Sequence, residues 1–295
     1  MSPRPAFPTA IDGVVAAVRQ SKRYGRIDES VVRRCASQAM AVAGHRPHDA
    51  IKRTKRYLHQ VYGAYVGAAP RYDRLLSRLR QARAGDPASL AVELRRVMRL
   101  HASTRERVEH LEEFYEALFS HVGPVTSILD VGCGLNPLAV PSMRLLPDGV
   151  YTAVDIEPAL VAFVGSCLDM LSVRAHARVS DAVSNPPDED ADLALLLKML
   201  PCLEQQQRGA GADLIRGLRV KRVAVSFPIR SLGGRAKGMH ASYARMMEEM
   251  VQRERWTARE IPVRGELLYL LTKSTPGAGP KAPQHEASPV RCAAT

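Results

Sequence analysis

The amino-terminal third of the chain carries apolar side chains at intervals of three and four positions, which is the period of a helix with one buried face. Four segments with this pattern are predicted to be α-helices. They span residues 28–43, 47–66, 72–83 and 87–101. A further helix is predicted from Ser103 to about residue 121, because Ser103 and Glu106 have the spacing of a capping box.

The pattern changes after Pro124, where short apolar runs follow one another at helix-length intervals. Each run has the length of a buried strand. The predicted strands are residues 127–131, 151–155, 176–180, 192–197 and 222–227. Val263 and residues 267–271 are predicted to add a closing antiparallel hairpin. This alternation predicts an α/β fold with a mostly parallel, seven-stranded sheet and helices on both faces.

Length and composition favour two folded domains and a tail. The chain has 295 residues, of which 46% are hydrophobic, and this is enough to build a packed core. We predict a basic helical domain over residues 1–105, a Rossmann-like α/β domain over residues 106–273 and a disordered tail over residues 274–295. No run approaches the roughly 18 apolar residues of a membrane helix and no signal peptide opens the sequence, so the expected location is the cytoplasm.

The net charge of +12 is concentrated at one end of the chain. Residues 1–110 contain 22 Lys and Arg against 9 Asp and Glu, whereas residues 111–295 contain 20 against 21. Such a basic region favours a polyanionic partner, because neutralising phosphates releases counterions. The alternative is an ordinary charged helical surface. The residues expected to lie along a phosphate backbone share one face of the second predicted helix, and they are Lys52, Arg53, Lys55 and Arg56.

Metal chemistry is not expected. The five cysteines are scattered, with no C-x-x-C pair and no histidine at zinc-finger spacing near them. His45 and His48 form no recognisable metal cluster. We therefore predict no metal ion.

A glycine turn follows the first predicted strand, in the segment Asp130-Val-Gly-Cys-Gly-Leu-Asn-Pro137. Gly132 and Gly134 let the backbone approach a ligand without a Cβ in the way, and Asn136 with Pro137 is predicted to open a helix. A dinucleotide-binding turn needs a third glycine where this chain has Pro137, which disfavours a nicotinamide cofactor. S-Adenosylmethionine has no pyrophosphate and suits this turn, so it is the predicted cofactor.

Two carboxylates follow the next predicted strands. Asp155 closes the second strand, where a carboxylate can accept both ribose hydroxyls of a nucleoside cofactor. Asp181 follows the third strand and is predicted to meet the adenine amino group. The alternative is that both side chains only cap the helices that follow them.

Arg107 is predicted to lie in the first turn of the helix that Ser103 opens. A cation there opposes the helix dipole and favours a nearby anion. The carboxylate of a methionyl group is one such anion, held by Arg107 and the amides of residues 101–103. The alternative is a surface ion pair with Glu112 or Glu113.

Four motifs together resemble one family, the aminoglycoside-resistance 16S rRNA (guanine(1405)-N7)-methyltransferases. They are His101 to Arg107, Asp130 to Pro137, Leu195 to Gly209 and Ser226 to Met239, and the likeness runs from about residue 20 to about residue 273. The resemblance implies a class I Rossmann-like methyltransferase with a basic α-helical domain at its amino terminus. It further implies methyl transfer from S-adenosylmethionine to N7 of guanosine 1405 in the 16S rRNA of the assembled 30S subunit, by a monomer, with resistance to aminoglycosides as the result.

The resemblance also implies the cofactor contacts. They are His101, Ala102, Ser103, Arg107, Gly132, Asp155, Asp181, Ala182, Leu197 and Gln207, to which the glycine turn adds Gly134. The family often has Asp-Leu where this chain has Asp181-Ala182, which weakens a packing contact to adenine.

Guanine N7 carries a lone pair and no proton, so the transfer needs alignment but no general base. Lys198, at the end of the fourth predicted strand, is therefore expected to position the RNA or the guanine, and its alternative role is an ordinary solvent-exposed charge. N7 faces a groove of A-form RNA that is too deep and narrow to enter, so the base must be distorted or flipped out. The residues expected to cover it are Arg230, Arg235 and Lys237.

Other functions stay open at this point. A methyltransferase of similar fold can act on another rRNA base or on tRNA, and product analysis separates these substrates. A non-catalytic RNA-binding or ribosome-assembly factor can retain a cofactor fold, and failure to bind S-adenosylmethionine would favour it. A nicotinamide oxidoreductase is the weakest alternative, because the third glycine is missing.

Overall fold

Residues 9–44, 46–63, 70–229 and 239–274 are described by a computed structural model of the chain. Seven strands lie within these ranges. In chain order they are β1 (Val125–Val131), β2 (Leu145–Asp155), β3 (Arg174–Val179), β4 (Ala191–Leu197), β5 (Val220–Pro228), β6 (Thr257–Ile261) and β7 (Glu266–Thr272).

All seven strands belong to one sheet, in the order β3-β2-β1-β4-β5-β7-β6. Neighbours among the first five strands pair in parallel, whereas β7 is antiparallel to both β5 and β6. The chain builds outwards from β1 to β3 on one side and then returns to place β4 on the other side of β1. This switch leaves a crevice at the carboxyl ends of the parallel strands. The predicted mostly parallel, seven-stranded sheet is confirmed.

Eleven α-helices lie within the described ranges. They are α1 (Ala10–Arg19), α2 (Glu29–Val42), α3 (Pro47–Leu58), α4 (Tyr72–Ala84), α5 (Pro87–Met98), α6 (Ala102–Arg105), α7 (Leu111–Val122), α8 (Pro158–Met170), α9 (Leu200–Gln206), α10 (Ala210–Gly217) and α11 (Met239–Glu254). None of these helices is long and apolar enough to cross a membrane.

The helices predicted in the amino-terminal third are confirmed, with shifted ends. The second is α-helical only to Leu58 and continues as a π-helical turn over His59–Gly63, and the rest of its predicted span lies outside the described residues. The fourth ends at Met98. The helix α1 lies outside the predicted segments, although Thr9 and Asp12 form a capping box that marks its start.

The predicted start of the helix at Ser103 is wrong. The helix α6 is a single turn with His101 at its N-cap, and the longer helix α7 begins only at Leu111. Ser103 does not cap, because its hydroxyl oxygen lies 2.7 Å from Nδ1 of the His101 ring. The Thr104 hydroxyl donates to the Met98 carbonyl oxygen, 2.5 Å away, which folds this segment back onto α5.

The closing hairpin is confirmed, but its first strand is not at Val263. That residue lies in the turn, and β6 ends before it at Ile261. Four of the five residues of β6 are exposed. An exposed edge strand need not alternate apolar and polar residues, so the pattern of apolar residues in the sequence did not predict β6.

The helices before the sheet belong to two different cores. The helices α1, α2 and α3 share a hydrophobic cluster of their own, and we call residues 9–63 the helical unit. The helices α4 and α5 instead contribute Leu79 and Met98 to the core on one face of the sheet. The domain boundary predicted at residue 105 stays a prediction, and the packing favours a smaller separate unit.

The helical unit docks at the carboxyl end of β2 through a buried carboxylate. The Glu157 side chain is 0% exposed. It accepts hydrogen bonds from Arg26 Nη2 at 2.6 Å and from the Tyr62 hydroxyl at 2.7 Å. Beside it, the Asp28 amide donates to the Ile156 carbonyl at 2.9 Å. Since a buried carboxylate is tolerated only when it is paired, these contacts fix the unit over β2.

We expect Arg26→Met to destabilise the chain by on the order of 3 kcal/mol, because Glu157 would keep a buried charge without its cation. The free energy of unfolding in urea measures this loss. The matched control is Arg33→Met, which removes an exposed pair with Asp12 and should change stability little. Equal effects of the two variants would contradict the docking role of Glu157.

Candidate active site

A cavity of about 850 Å³ lies at the carboxyl ends of the parallel strands, at the switch between β1 and β4. Residues at or just beyond the ends of the strands form one wall, and they include Val131, Gly132, Asp155, Asp181, Ala182, Leu197 and Lys198. The helical unit supplies another wall, made by Val31, Arg34, Val61 and Tyr62.

The glycine turn after β1 has the backbone conformation that its sequence predicts. Gly132 has φ 68° and Gly134 has φ 51°, both in the left-handed region. A Cβ on Gly132 would lie 2.9 Å from the Met199 sulfur, so a larger residue would displace the Met199 side chain as well as strain the backbone. The Gly132 amide donates to the Val154 carbonyl at 2.8 Å, which holds the turn against the end of β2.

Asp155 lies at the end of β2 and faces the cavity, as predicted. Its carboxylate accepts hydrogen bonds from the Gly134 amide at 2.9 Å and the Ile156 amide at 2.7 Å. Burial raises the pKa of Asp155 above its ordinary value, although these amide bonds oppose the shift. The alternative role as a helix cap is not met, since α8 begins without a side-chain cap. The ribose contact itself stays a prediction.

Asp181 also lines the cavity, but its carboxylate is already bonded within the protein. Arg34 of the helical unit donates through Nε to Oδ2 at 2.5 Å and through Nη2 to Oδ1 at 3.1 Å. The Val183 amide and the Ser184 hydroxyl donate to the same carboxylate. A direct contact to the adenine amino group would therefore have to displace one of these donors, and that contact stays a prediction.

Asn136 does not cap a helix, which corrects the prediction made for it. The short 3₁₀ helix Asn136–Ser142 has Leu135 as its N-cap and no side-chain cap. The Asn136 amide instead donates to Asp130 Oδ2 at 2.9 Å, and its oxygen accepts from Arg107 Nη1 at 2.8 Å. Asn136 is therefore the centre of a buried polar network beneath the turn.

Arg107 is neither in the first turn of a helix nor at the surface. It precedes a 3₁₀ turn, is 2% exposed, and donates to Glu266 Oε2 at 2.7 Å. Its guanidinium carbon lies 4.4 Å from the centre of the Phe114 ring. The predicted pair with Glu112 or Glu113 is wrong, and Arg107 is not one of the described residues that line the cavity. Its contact to a cofactor carboxylate stays a prediction.

Lys198 is a buried cation at the end of β4. Its side chain is 2% exposed, so the alternative of a solvent-exposed charge is excluded. The ammonium group donates to the Ser103 carbonyl at 3.1 Å, forms an ion pair with Glu106 and lies 3.4 Å from Glu266 Oε1. Its φ of 60° is rare for a residue with a Cβ and marks a functional or strained position. Its contact to the target base stays a prediction.

His101 reaches the cavity beside the glycine turn. A Cβ on Gly134 would lie 3.2 Å from its ring, so the imidazole packs directly on the turn. Burial, helped by the positive charges of Arg105 and Lys198, lowers the pKa of His101 to about 4. The ring is therefore neutral near pH 7.

The remaining predicted cofactor residues divide into two groups. Ser103, Ala182 and Leu197 line the cavity, whereas Ala102 and Gln207 are not among the lining residues that the structure describes. Gln207 is exposed after the end of α9, and its neighbour Gln206 faces the cavity instead. No local sequence pattern indicates Arg34 or Gln206 as site residues.

The basic face predicted on α3 is present. Thr54 and Leu58 are buried against the helical unit, and the four basic residues Lys52, Arg53, Lys55 and Arg56 lie on the remaining surface. Lys52 and Arg56 are exposed, and no ion pair of the four occurs within the described part of the chain. Their contact to RNA stays a prediction. The predicted RNA contacts of Arg230, Arg235 and Lys237 lie outside the described residues.

The residues of the cavity fit a nucleoside-bearing cofactor. The turn at Gly132 leaves room that a Cβ would fill, Asp155 offers a carboxylate, and Arg34 Nη1 is buried without a hydrogen-bond partner. No group of three or more His, Cys, Asp or Glu side chains suited to a metal ion occurs within the described ranges.

Known proteins resemble this chain in both sequence and fold. A family model described as ribosomal RNA methyltransferase (FmrO) matches residues 20–270. A 16S rRNA (guanine(1405)-N(7))-methyltransferase of Micromonospora rosea is 42% identical over 265 residues, which cover 89% of this chain and 97% of that protein. A protein of the same name from Serratia marcescens is 32% identical, over 90% of this chain and 99% of its own.

Solved structures agree with these relatives. The crystal structure of the 16S rRNA methyltransferase RmtF in complex with S-adenosyl-L-homocysteine has a TM-score of 0.77 and 31% identity, covering 91% of this chain and all of that one (100%). The 16S rRNA methylase RmtB has a TM-score of 0.72 and 28% identity over 91% of this chain and 100% of its own.

The sheet and the cavity at its switch point, together with these matches, define an S-adenosylmethionine-dependent methyltransferase of the Rossmann-like class. The chain belongs to the ribosomal RNA methyltransferase (FmrO) family. The family resemblance of its motifs, the enzyme class and the cofactor predicted from the sequence are confirmed. The nicotinamide alternative is excluded by the same findings.

The polar network beneath the turn predicts a pH dependence. Burial raises the pKa of Asp130 from 3.8 to about 6, against the hydrogen bonds from Tyr151 and Asn136. When the pKa of a carboxyl group is higher in the folded than in the unfolded state, the group stabilises the fold fully below its unfolded-state pKa. This stabilisation is lost as the pH rises through the folded-state pKa. The Asp130→Asn variant has no carboxyl group to ionise at this position and should not show this loss. Its free energy of unfolding should therefore rise relative to that of wild type, by up to about 3 kcal/mol between about pH 4 and about pH 8.

Urea unfolding across that pH range measures the difference. The control is Asp192→Asn, because the hydrogen bond from Thr126 lowers the pKa of Asp192 and its stabilisation is lost as pH falls. The two variants should therefore show opposite trends relative to wild type. Parallel trends would contradict the buried, raised-pKa environment of Asp130.

Proposed function

We propose that this methyltransferase transfers the methyl group of S-adenosylmethionine to N7 of guanosine 1405 in 16S rRNA of the assembled 30S subunit, and so confers resistance to aminoglycosides. The cavity carries the proposal, because the glycine turn and Asp155 meet there at the carboxyl ends of β1 and β2. Full-length relatives at 41–42% identity bear the name of this activity, which supports the choice of base.

The chemistry places few demands on proton transfer. When bound, S-adenosylmethionine supplies an electrophilic methyl group on a sulfonium sulfur. Guanine N7 attacks with its own lone pair, so the protein has to align the base and exclude water. The neutral His101 ring and the apolar Leu197 side chain line the cavity without placing a positive charge of their own beside the sulfonium.

The ion pairs of Lys198 fix the segment that contains His101. Because the ammonium group bonds the Ser103 carbonyl and Glu106, it ties α6 to the end of β4. We propose that Lys198 positions this wall of the cavity and reaches the target base only after exchanging one of these partners.

The basic face of α3 supplies the electrostatic part of RNA recognition. It belongs to the same helical unit that closes the cavity, so phosphate contacts there would hold the cavity close to the RNA. Contacts of this kind give register and affinity and leave base selection to the cavity. We propose that one copy of the chain acts on the 30S subunit and that no metal ion takes part.

The proposal is tested by methyl transfer from labelled S-adenosylmethionine to purified 30S subunits, naked 16S rRNA and tRNA, with the product mapped by borohydride and aniline cleavage. Cleavage at nucleotide 1405 in 30S subunits alone is the expected result. Label without that cleavage would contradict the N7 assignment and favour a methyltransferase for another base. The absence of label from every substrate would favour a non-catalytic binding factor.

The basic face is tested by the salt dependence of 30S binding. The double variant Lys52→Ala, Arg56→Ala should weaken binding and reduce the slope of log K against log salt by about 2, one for each lost phosphate contact. The matched control removes two exposed cations at the amino ends of strands, Arg174→Ala with Lys221→Ala, and should leave the slope unchanged. Equal slopes for the two double variants would rule out α3 as the docking face.

A further inference from the structure

The helical unit contributes a charged side chain to the cofactor cavity. Arg34 lies on α2, and its side chain is 14% exposed. It crosses to Asp181 beyond the end of β3, 147 positions further along the chain, and also donates to Gln206 Oε1 at 2.7 Å. All three side chains line the cavity. The cavity is therefore incomplete without a residue of the helical unit.

The hydrogen bonds of Asp181 leave it little capacity for a ligand. A carboxylate has about four lone-pair sites. Oδ1 accepts from Arg34 Nη2 and the Val183 amide, and Oδ2 accepts from Arg34 Nε and the Ser184 hydroxyl. All four sites are filled, so Asp181 serves to hold the guanidinium of Arg34 in one plane.

The guanidinium retains one unused donor nitrogen. Arg34 Nη1 is buried and has no hydrogen-bond partner, while Nε and Nη2 are both engaged. A guanidinium only donates hydrogen bonds, so Nη1 can be satisfied only by an acceptor. Leaving a buried donor unpaired is costly, and a ligand acceptor in the cavity would remove that cost.

We infer that Arg34 binds the cofactor by donating from Nη1 to a ring nitrogen of its adenine, with Asp181 as the residue that positions it. This inference rests on the proposed function, since it assumes the same cofactor site. Arg34 lies with Asp181 beyond β3, whereas the ribose is expected at Asp155 and the methionyl carboxylate near residues 101–107. Adenine, whose ring nitrogens accept hydrogen bonds in its plane, is therefore the part of the cofactor that would reach Nη1. The helical unit therefore both docks RNA and selects the nucleobase of the cofactor.

Isothermal titration of S-adenosylhomocysteine tests the inference, alongside three analogues in which N1, N3 or N7 of adenine is replaced by CH. Wild type should bind one analogue about tenfold or more weakly than the parent. Arg34→Met and Arg34→Lys should bind the parent about tenfold or more weakly and should not discriminate against that analogue. Arg34→Lys keeps a positive charge beside Asp181 and should therefore preserve the fold. Thermal unfolding checks that both variants are folded.

The matched control is Arg33→Met on the same helix, which removes an exposed cation and should bind all four ligands as wild type does. If the Arg34 variants bind more weakly but keep the wild-type ranking of the four ligands, Arg34 acts only on structure and the inference is overturned. Unchanged or tighter binding by these variants overturns it as well. Failure of wild type to bind S-adenosylhomocysteine would instead overturn the proposed function, and the inference with it.

Discussion

A buried carboxylate that is shared by two cations holds the site together. Glu266 opens β7, is 4% exposed, and pairs with Arg107 on one side and Lys198 on the other. Burial opposes its ionisation, yet the charges of Arg107 and Lys198 lower the pKa of Glu266 below its ordinary value. Because each ion is tolerated only in the presence of the others, the end of β4, the start of β7 and the segment before α7 have to assemble together.

Much of the fold and part of the site could be predicted from the sequence, because those features are local. The strands β4 and β7 are nearly continuous apolar runs, and the turn after β1 depends on two glycines that are close neighbours. The helix start predicted at Ser103 is wrong because the Ser103 side chain bonds the His101 ring rather than a backbone amide of a new helix. Arg34 could not be found either, because its partner Asp181 is 147 positions away and nothing in the pattern of α2 indicates it.

The helical unit carries the basic face and also forms one wall of the cavity. Its α3 carries an unpaired basic face, while its α2 and the turn after α3 close the cofactor cavity. The two surfaces share one hydrophobic core, so movement of one entails movement of the other. A contact that moved α3 would thus also move the wall of the cavity that α2 supplies.

The outer strands of the sheet, β3 and β6, affect whether the sheet can pair with a strand of another molecule. Both carry charged side chains, with exposed Arg174 and half-buried Arg178 on β3 at one edge and exposed Arg259 and Glu260 on β6 at the other. Unpaired strand edges invite a strand from another chain, and charged side chains there disfavour such pairing. The sheet thus resists growing from one molecule into the next.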